Sequence, residues 1–262
     1  MRKLFFVGLL MLLVMPVLAM GQNPFEGTWK ADPSTIQYPD KPDMYLLQKG
    51  MYECKSCVPP INIKADGTDQ KVTGHPYYDT MSVKVIDDHN IETASKKDGK
   101  VVGTEKDSIS SDGETLTAQW SYSGNPAGGT QSGSYIAKRV AKGPAGANLI
   151  SGSWRTQKEE DPAAVLTWTY SLKGDELTMT NQTGQSYTAK LGGSDAPYRG
   201  DPGTTSVSVK MLGKDTLEET DKRDGKVIGI GKMTVLADGK TAKIVFEDKL
   251  HGTTTKLEAK KQ

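Results

Sequence analysis

The sequence predicts an all-β chain folded as two tandem antiparallel up-and-down β-barrels of about eight to ten strands each. Three observations carry that expectation: a duplicated stretch, a period-two alternation of apolar residues, and tight-turn signals between the alternating runs.

The duplication is read directly. Lys96-Lys97-Asp98-Gly99-Lys100-Val101-Val102-Gly103 returns as Lys222-Arg223-Asp224-Gly225-Lys226-Val227-Ile228-Gly229. The spacing of 126 residues between Asp98 and Asp224 also relates Asp112-Gly113 to Asp238-Gly239. It extends back through Gly74/Gly200, Pro76/Pro202, Val83/Val209 and Glu92/Glu218. Met81, Val83 and Val85 alternate with Ser82 and Lys84, and Val207, Val209 and Met211 alternate with Ser208 and Lys210. Leu116, Ala118 and Trp120 keep the parity of Ala242, Ile244 and Phe246. Period two is the signature of a half-buried strand, and an even, ungapped offset sends equivalent residues to the same face. Asp98-Gly99, Asp112-Gly113, Asp224-Gly225 and Asp238-Gly239 are the pairs that a two-residue primed hairpin turn favours, because both central residues need positive φ. A meander with one apolar face must hide that face and its edges, and closing into a barrel does both. An open sandwich per repeat, or one large outer-membrane barrel, is the competing architecture; the polar strand faces and the absence of an aromatic girdle speak against the second.

Taken in order, the chain opens with Arg2 and Lys3, then an apolar run from Leu4 to Val17, then small residues at Ala19 and Gly21. That is the pattern of a secretory signal peptide over residues 1–21, so the mature protein is expected to be periplasmic or secreted from a bacterium. Repeat one is assigned to residues 22–140, a small, Gly- and Pro-containing linker to 141–149, and repeat two to 150–262. A formal net charge of +1 with Lys and Arg scattered among Asp and Glu offers no basic stripe for nucleic acid. After the leader no apolar run is long enough to span a bilayer as a helix. Any protein partner is left unspecified.

Pro24-Phe25-Glu26-Gly27-Thr28-Trp29-Lys30 and Leu149-Ile150-Ser151-Gly152-Ser153-Trp154-Arg155 each carry Gly-x-Trp and a basic residue. Here the repeats resemble the first strand of lipocalin-like barrels of the calycin superfamily, and the pairing resembles secreted bacterial proteins with tandem lipocalin-like domains. The resemblance implies that Trp29 and Trp154 each close a barrel floor beneath a cation from the last strand of the same repeat. For Trp29 that is Lys138 or Arg139, with Arg139 preferred; for Trp154 it is Lys260 or Lys261, with Lys260 preferred. A cation over an indole face contributes about 0.5 to 2 kcal/mol. A Thr-Asp-Tyr-type turn and a C-terminal helix, both part of the lipocalin pattern, are absent from the sequence.

The candidate sites are few. Cys54 and Cys57 are the two cysteines; a disulfide is the default in an oxidising compartment and requires a tight turn at Lys55-Ser56. Haem attachment fails because Val58 follows, and a metal half-site or thioredoxin-like pair lacks its partners. Trp120, Trp168, Tyr170 and Tyr77 are the candidate ligand-binding residues, with core filling as the alternative. His75-Pro76-Tyr77-Tyr78 reads as a lid over a barrel mouth or as a surface loop. No catalytic constellation, metal cluster or cofactor motif is found, although a general acid could hide among the many Asp and Glu, which leaves enzymatic activity open. The expected function is non-enzymatic binding of a small apolar or amphipathic ligand; the alternative is a structural or interaction module of the cell envelope with solid barrels.

Overall fold

The structure is a computed structural model and describes residues 23–160 and 166–262; the expected leader, 1–21, lies outside the described residues. The described residues form twenty strands and no helix. The first half comprises β1 (Gly27–Gln37), β2 (Asp43–Gln48), β3 (Met51–Cys54), β4 (Ile61–Lys64), β5 (Gln70–Lys71), β6 (Thr80–Val85), β7 (Asn90–Lys97), β8 (Lys100–Ile109), β9 (Thr115–Tyr122) and β10 (Gln131–Lys142). The second comprises β11 (Gly152–Glu160), β12 (Thr167–Lys173), β13 (Glu176–Asn181), β14 (Ser186–Lys190), β15 (Ala196–Pro197), β16 (Ser206–Met211), β17 (Thr216–Arg223), β18 (Lys226–Val235), β19 (Thr241–Asp248) and β20 (Thr253–Lys261).

These strands make two antiparallel sheets of 10 strands, each nearly closed into a barrel. The seam of one is drawn together by a bridge between Asp66 and Lys84, and that of the other by bridges Ser186–Arg199 and Leu191–Val209. The sheets do not coincide with the sequence repeats. The N-terminal barrel holds β2 to β11, and the C-terminal barrel holds β1 together with β12 to β20. The two Gly-x-Trp strands are thus exchanged: β1 lies between β12 and β20, and β11 lies between β10 and β2. Each repeat contributes nine strands to one barrel and its first strand to the other.

Exchange changes which cation meets which indole. Trp154 stands opposite Arg139 in the β10–β11 register, and the guanidinium carbon lies 4.0 Å from the indole centroid. Trp29 stands opposite Lys261, whose ammonium lies 4.9 Å from its ring. Each cation therefore covers the tryptophan of the other repeat, where the resemblance placed both partners in one repeat. Lys261 rather than Lys260 takes the role because it faces Trp29 across the ladder; Lys260 pairs with Lys30 and donates to the Thr241 hydroxyl at 3.0 Å. The indole N–H of Trp29 donates to the Phe25 carbonyl, and that of Trp154 to the Ile150 carbonyl, each at 2.7 Å. Gly27 and Gly152, with φ of 112° and 134°, turn the chain into both strands in a region that favours glycine.

The interiors follow the period-two reading. Val83, Ile91, Leu116 and Ala118 pack with Trp154 in one core, and Val207, Val209, Leu217 and Ala242 pack with Trp29 in the other. Asp98-Gly99 and Asp224-Gly225 form the anticipated two-residue turns, with φ near +50° at both aspartates (50° and 51°) and Lys97 paired with Lys100. Asp112-Gly113 and Asp238-Gly239 do not. Each lies in a longer loop closed by a Ser110–Thr115 or Leu236–Thr241 backbone bond. There the aspartate carboxylate accepts bonds from neighbouring loop residues instead. The cysteines are joined, with S–S 2.02 Å and Cα atoms 5.4 Å apart, in the expected tight bend after β3. Cys54 is buried among Leu47, Tyr52 and Ile61, so the bridge pins a core strand to a surface loop.

Candidate ligand site

A cavity of about 310 Å³ opens inside the C-terminal barrel, within the size range of small-molecule sites. Its walls are Trp168 and Tyr170 from β12, Leu217 from β17, Met233 from β18 and Phe246 from β19, and two carboxylates, Glu219 and Asp221, project into it. Alternation along β17 puts them there: Leu217, Glu219 and Asp221 share one face, while Glu218 on the other faces outward to Lys210 and Lys232. Gly231 helps keep the space open, since it is the cross-strand neighbour of Glu219 and presents no side chain.

The two carboxyls lie close enough to act on each other, and Glu219 disfavours ionisation of Asp221. The Tyr187 hydroxyl donates to Glu219 Oε2 at 2.6 Å, and the Tyr170 hydroxyl to the same oxygen at 3.4 Å. Removal from bulk water raises the Glu219 carboxyl above its ordinary range against those bonds. Burial, then the neighbouring charge of Glu219, pushes Asp221 up to about 8. Two like acids in contact inside a barrel share a proton rather than both ionising. Asp221 Oδ1 and Trp168 Nε1 are both shut off from solvent and have no hydrogen-bond partner among the described residues.

The cavity adjoins a cleft of about 470 Å³ between the barrels, and Asp221 and Phe246 line both spaces. The far wall of the cleft is the His75–Tyr78 loop of the N-terminal barrel. Tyr77 donates to Asp201 Oδ1 at 2.8 Å and meets Tyr122 edge-on at 6.4 Å; His75 stacks on Tyr78 at 4.9 Å. The loop bridges the two barrels: Tyr78 packs against the N-terminal core while Tyr77 reaches Asp201 of the C-terminal barrel.

Of the four expected ligand residues, Trp168 and Tyr170 line the cavity and Tyr77 lines the cleft. Trp120 does neither: it lies over Gly133 and borders the barrel seam with Tyr122, Asn181 and Gln185. Among the described residues no group of three or more His, Cys, Asp or Glu could hold a metal ion, and no helix is long and apolar enough to cross a membrane.

The acid pair is the feature that residue-type reading missed, and the N-terminal barrel has one as well. Glu105 and Asp107 lie on the inward face of β8, where Tyr135 donates to Glu105 Oε1 at 3.1 Å. Asp107, only 6% exposed, is pushed up to about 9 by burial and then by Glu105, and its Oδ1 is likewise unpartnered among the described residues. The pairs are not copies. Glu105 faces Thr93 across β7–β8, whereas Glu219 faces Gly231 across β17–β18, so the carboxylate sits on opposite sides of one cross-strand position. In the N-terminal barrel Tyr45, Tyr52, Tyr78 and Tyr135 pack into the interior. Parity was the available signal: Glu105 and Asp107 share the face of Ile109, as Glu219 and Asp221 share that of Leu217.

A scan against protein-family models and a search of curated proteins returned no match to this chain.

Proposed function

We propose that this is an exported, non-enzymatic protein of two lipocalin-like barrels, in which the C-terminal barrel binds a small apolar or amphipathic molecule. One observation carries the reading: the cavity walled by Trp168, Tyr170, Phe246 and aliphatic side chains, with its entrance at the inter-barrel cleft. An apolar pocket with a few convergent polar groups is the form that small-molecule sites take. The N-terminal barrel, packed with tyrosines, serves as scaffold and supplies the loop that walls the cleft. The export expectation rests on the leader pattern of residues 1–21.

The test is titration of the mature chain with N-phenyl-1-naphthylamine, a neutral apolar fluorophore, beside the variant Gly231→Leu. Leucine at 231 points at Phe246 and occupies the cavity in the place where the N-terminal barrel carries Glu105. Saturable enhancement at one site per chain, lost in Gly231→Leu, is expected. Absence of saturable binding, or binding indifferent to Gly231→Leu, refutes the reading and leaves the chain as an envelope interaction module with filled barrels.

A further inference from the structure

We infer that the occupant of the C-terminal cavity is a cationic amphipath, an organic ammonium with a compact aromatic or aliphatic body, whose charge is the counterion that Glu219 and Asp221 lack. The inference rests on the binding reading above and specifies its ligand chemistry.

The cations on and flanking β17 are engaged away from the acid pair. Lys210 and Lys232 pair with Glu218 on the outer face of β17, at 2.8 and 3.5 Å. Lys222 pairs with Asp195 at 2.6 Å, and Arg223 donates to the Gly203 carbonyl at 2.7 Å. Lys261 is spent on Trp29 and the Pro24 carbonyl. The groups in contact with the acid pair are instead acids and phenols: Tyr170 and Tyr187 bond Glu219, and the charge of Asp201 opposes ionisation of Asp221. A buried acid pair with no basic partner is costly to ionise. An ammonium group held in the cavity beside the pair supplies the missing counter-charge and lowers that cost.

The walls fit the same occupant. Trp168, Tyr170 and Phe246 surround the acids, and aromatic faces beside a carboxylate are the surroundings that hold ammonium ions through the ring quadrupole. Met233, Ile244 and Leu257 provide the apolar surface for the rest of the molecule. An anionic ligand would face two carboxyls, and among the described residues the one cation bordering the cavity, Lys232, is paired with Glu218 at 3.5 Å. A neutral hydrocarbon would fill the walls but leave the acid pair without a counter-charge.

The experiment compares three compounds of similar shape by calorimetry on the mature chain: benzyltrimethylammonium, its neutral carbon isostere neopentylbenzene, and benzenesulfonate. The cation is expected to bind at least tenfold more tightly than the isostere, and the sulfonate not to bind. Because the probe's charge is fixed, its affinity reports the protein's titration alone. It should rise between pH 6 and pH 9, as the cation displaces the proton held between the acids. The titratable and charged groups around the pair are Tyr170, Tyr187 and Tyr198 within the barrel. Asp201, Arg223, Asp248, His75 and His251 stand at the mouth. The rise should persist in the double variant His75→Gln, His251→Gln. Glu219→Gln should weaken the cation at least tenfold while leaving the isostere within about twofold, and the retained isostere binding certifies the fold. Equal or tighter binding of the isostere, or a flat pH profile, overturns the inference and leaves the cavity reading intact. Failure of both cation and isostere to bind overturns both.

Discussion

The two barrels are the same scaffold twice, yet a cavity opens beside the acid pair of one while tyrosines pack around that of the other. Both have ten strands, an indole floor under a basic side chain, and an inward pair of carboxylic acids. They differ in what surrounds the acids. Four tyrosines belong to the core that holds Glu105 and Asp107; three, Tyr170, Tyr187 and Tyr198, belong to that of Glu219 and Asp221, where a cavity is left. Strand position accounts for part of this. Glu105 grows from β8 toward Thr93, while the corresponding position of β18 is Gly231 and the acid grows from β17. Conservation of a motif is therefore the wrong thing to seek in this duplication; what both barrels keep is an arrangement, rebuilt from different residues.

The exchanged strands give the largest expected effect. Residues 40–160 include every strand of the N-terminal barrel with both Trp154 and Arg139, whereas residues 22–140, one full sequence repeat, end before Trp154. A buried Trp truncated to Ala costs about 3–5 kcal/mol, and domain stability is only about 5–15 kcal/mol. Losing the whole of β11 removes the Trp and opens both β10 and β2 as free edges. The 40–160 polypeptide is expected to show β-type circular dichroism and cooperative thermal unfolding as a monomer, and 22–140 to show neither. A monomeric, cooperatively folding 22–140 would mean that Trp29 and its strand can replace Trp154, so that the exchange is optional.

The acid pairs predict the next effect. The folded chain holds Asp107 at about 9 and Asp221 at about 8, against an ordinary value of 3.8. Between those limits the folded protein binds protons that the unfolded chain has released, so the contribution of these groups to stability is full below about pH 4 and is lost as pH rises toward 8 or 9. Each group contributes a slope of at most about 1.4 kcal/mol per pH unit. Glu105 and Glu219, also raised by burial, act with the same sign. Thermal melts from pH 5 to pH 9 should therefore show a declining midpoint. Asp107→Asn and Asp221→Asn should each flatten the decline, with the effect of Asp107→Asn reaching to higher pH. A midpoint that rises over this window would contradict the burial of both pairs.

Much of this architecture could be read from residue order, because it depends on local rules. Alternation such as Met81, Val83 and Val85 fixes a strand and its face, and Asp98-Gly99 fixes a hairpin because few other pairs accept two positive φ values. The strand exchange could not be read so. β1 and β11 carry the same Gly-x-Trp pattern, so nothing local decides which barrel either one closes. The acid pairs stood in plain view, but Glu and Asp on a strand read as solvated charge unless parity is followed through them. Glu219 shares a face with Leu217, and that pattern alone announced an inward carboxylate. The cavity depended on a longer-range fact, the register that brings Gly231 opposite Glu219. Asp112 and Asp238 illustrate the reverse case, in which the right turn residues serve a longer loop by accepting side-chain and backbone bonds.

The smallest difference lies at the barrel floors. Arg139 covers Trp154 and also donates to three backbone carbonyls, those of Gly113, Leu149 and Ser151. Lys261 stands farther from its ring and donates to one carbonyl, that of Pro24 at 2.8 Å. A bond to a charged donor contributes about 1.5–3 kcal/mol when buried and less at a partly solvent-exposed floor such as this, and the ring contact adds about 0.5 to 2. Methionine retains most of the side chain's bulk, so Arg139→Met and Lys261→Met isolate the polar loss. Arg139→Met should lower stability by about 2–3 kcal/mol and Lys261→Met by about 1, read from denaturant midpoints at constant m-value. Arg139→Lys should fall between wild type and Arg139→Met, because an ammonium cannot span three carbonyls held in the plane of a guanidinium. Equal losses at the two floors would show that the ring contact dominates and that the carbonyl bonds of Arg139 merely replace bonds to water.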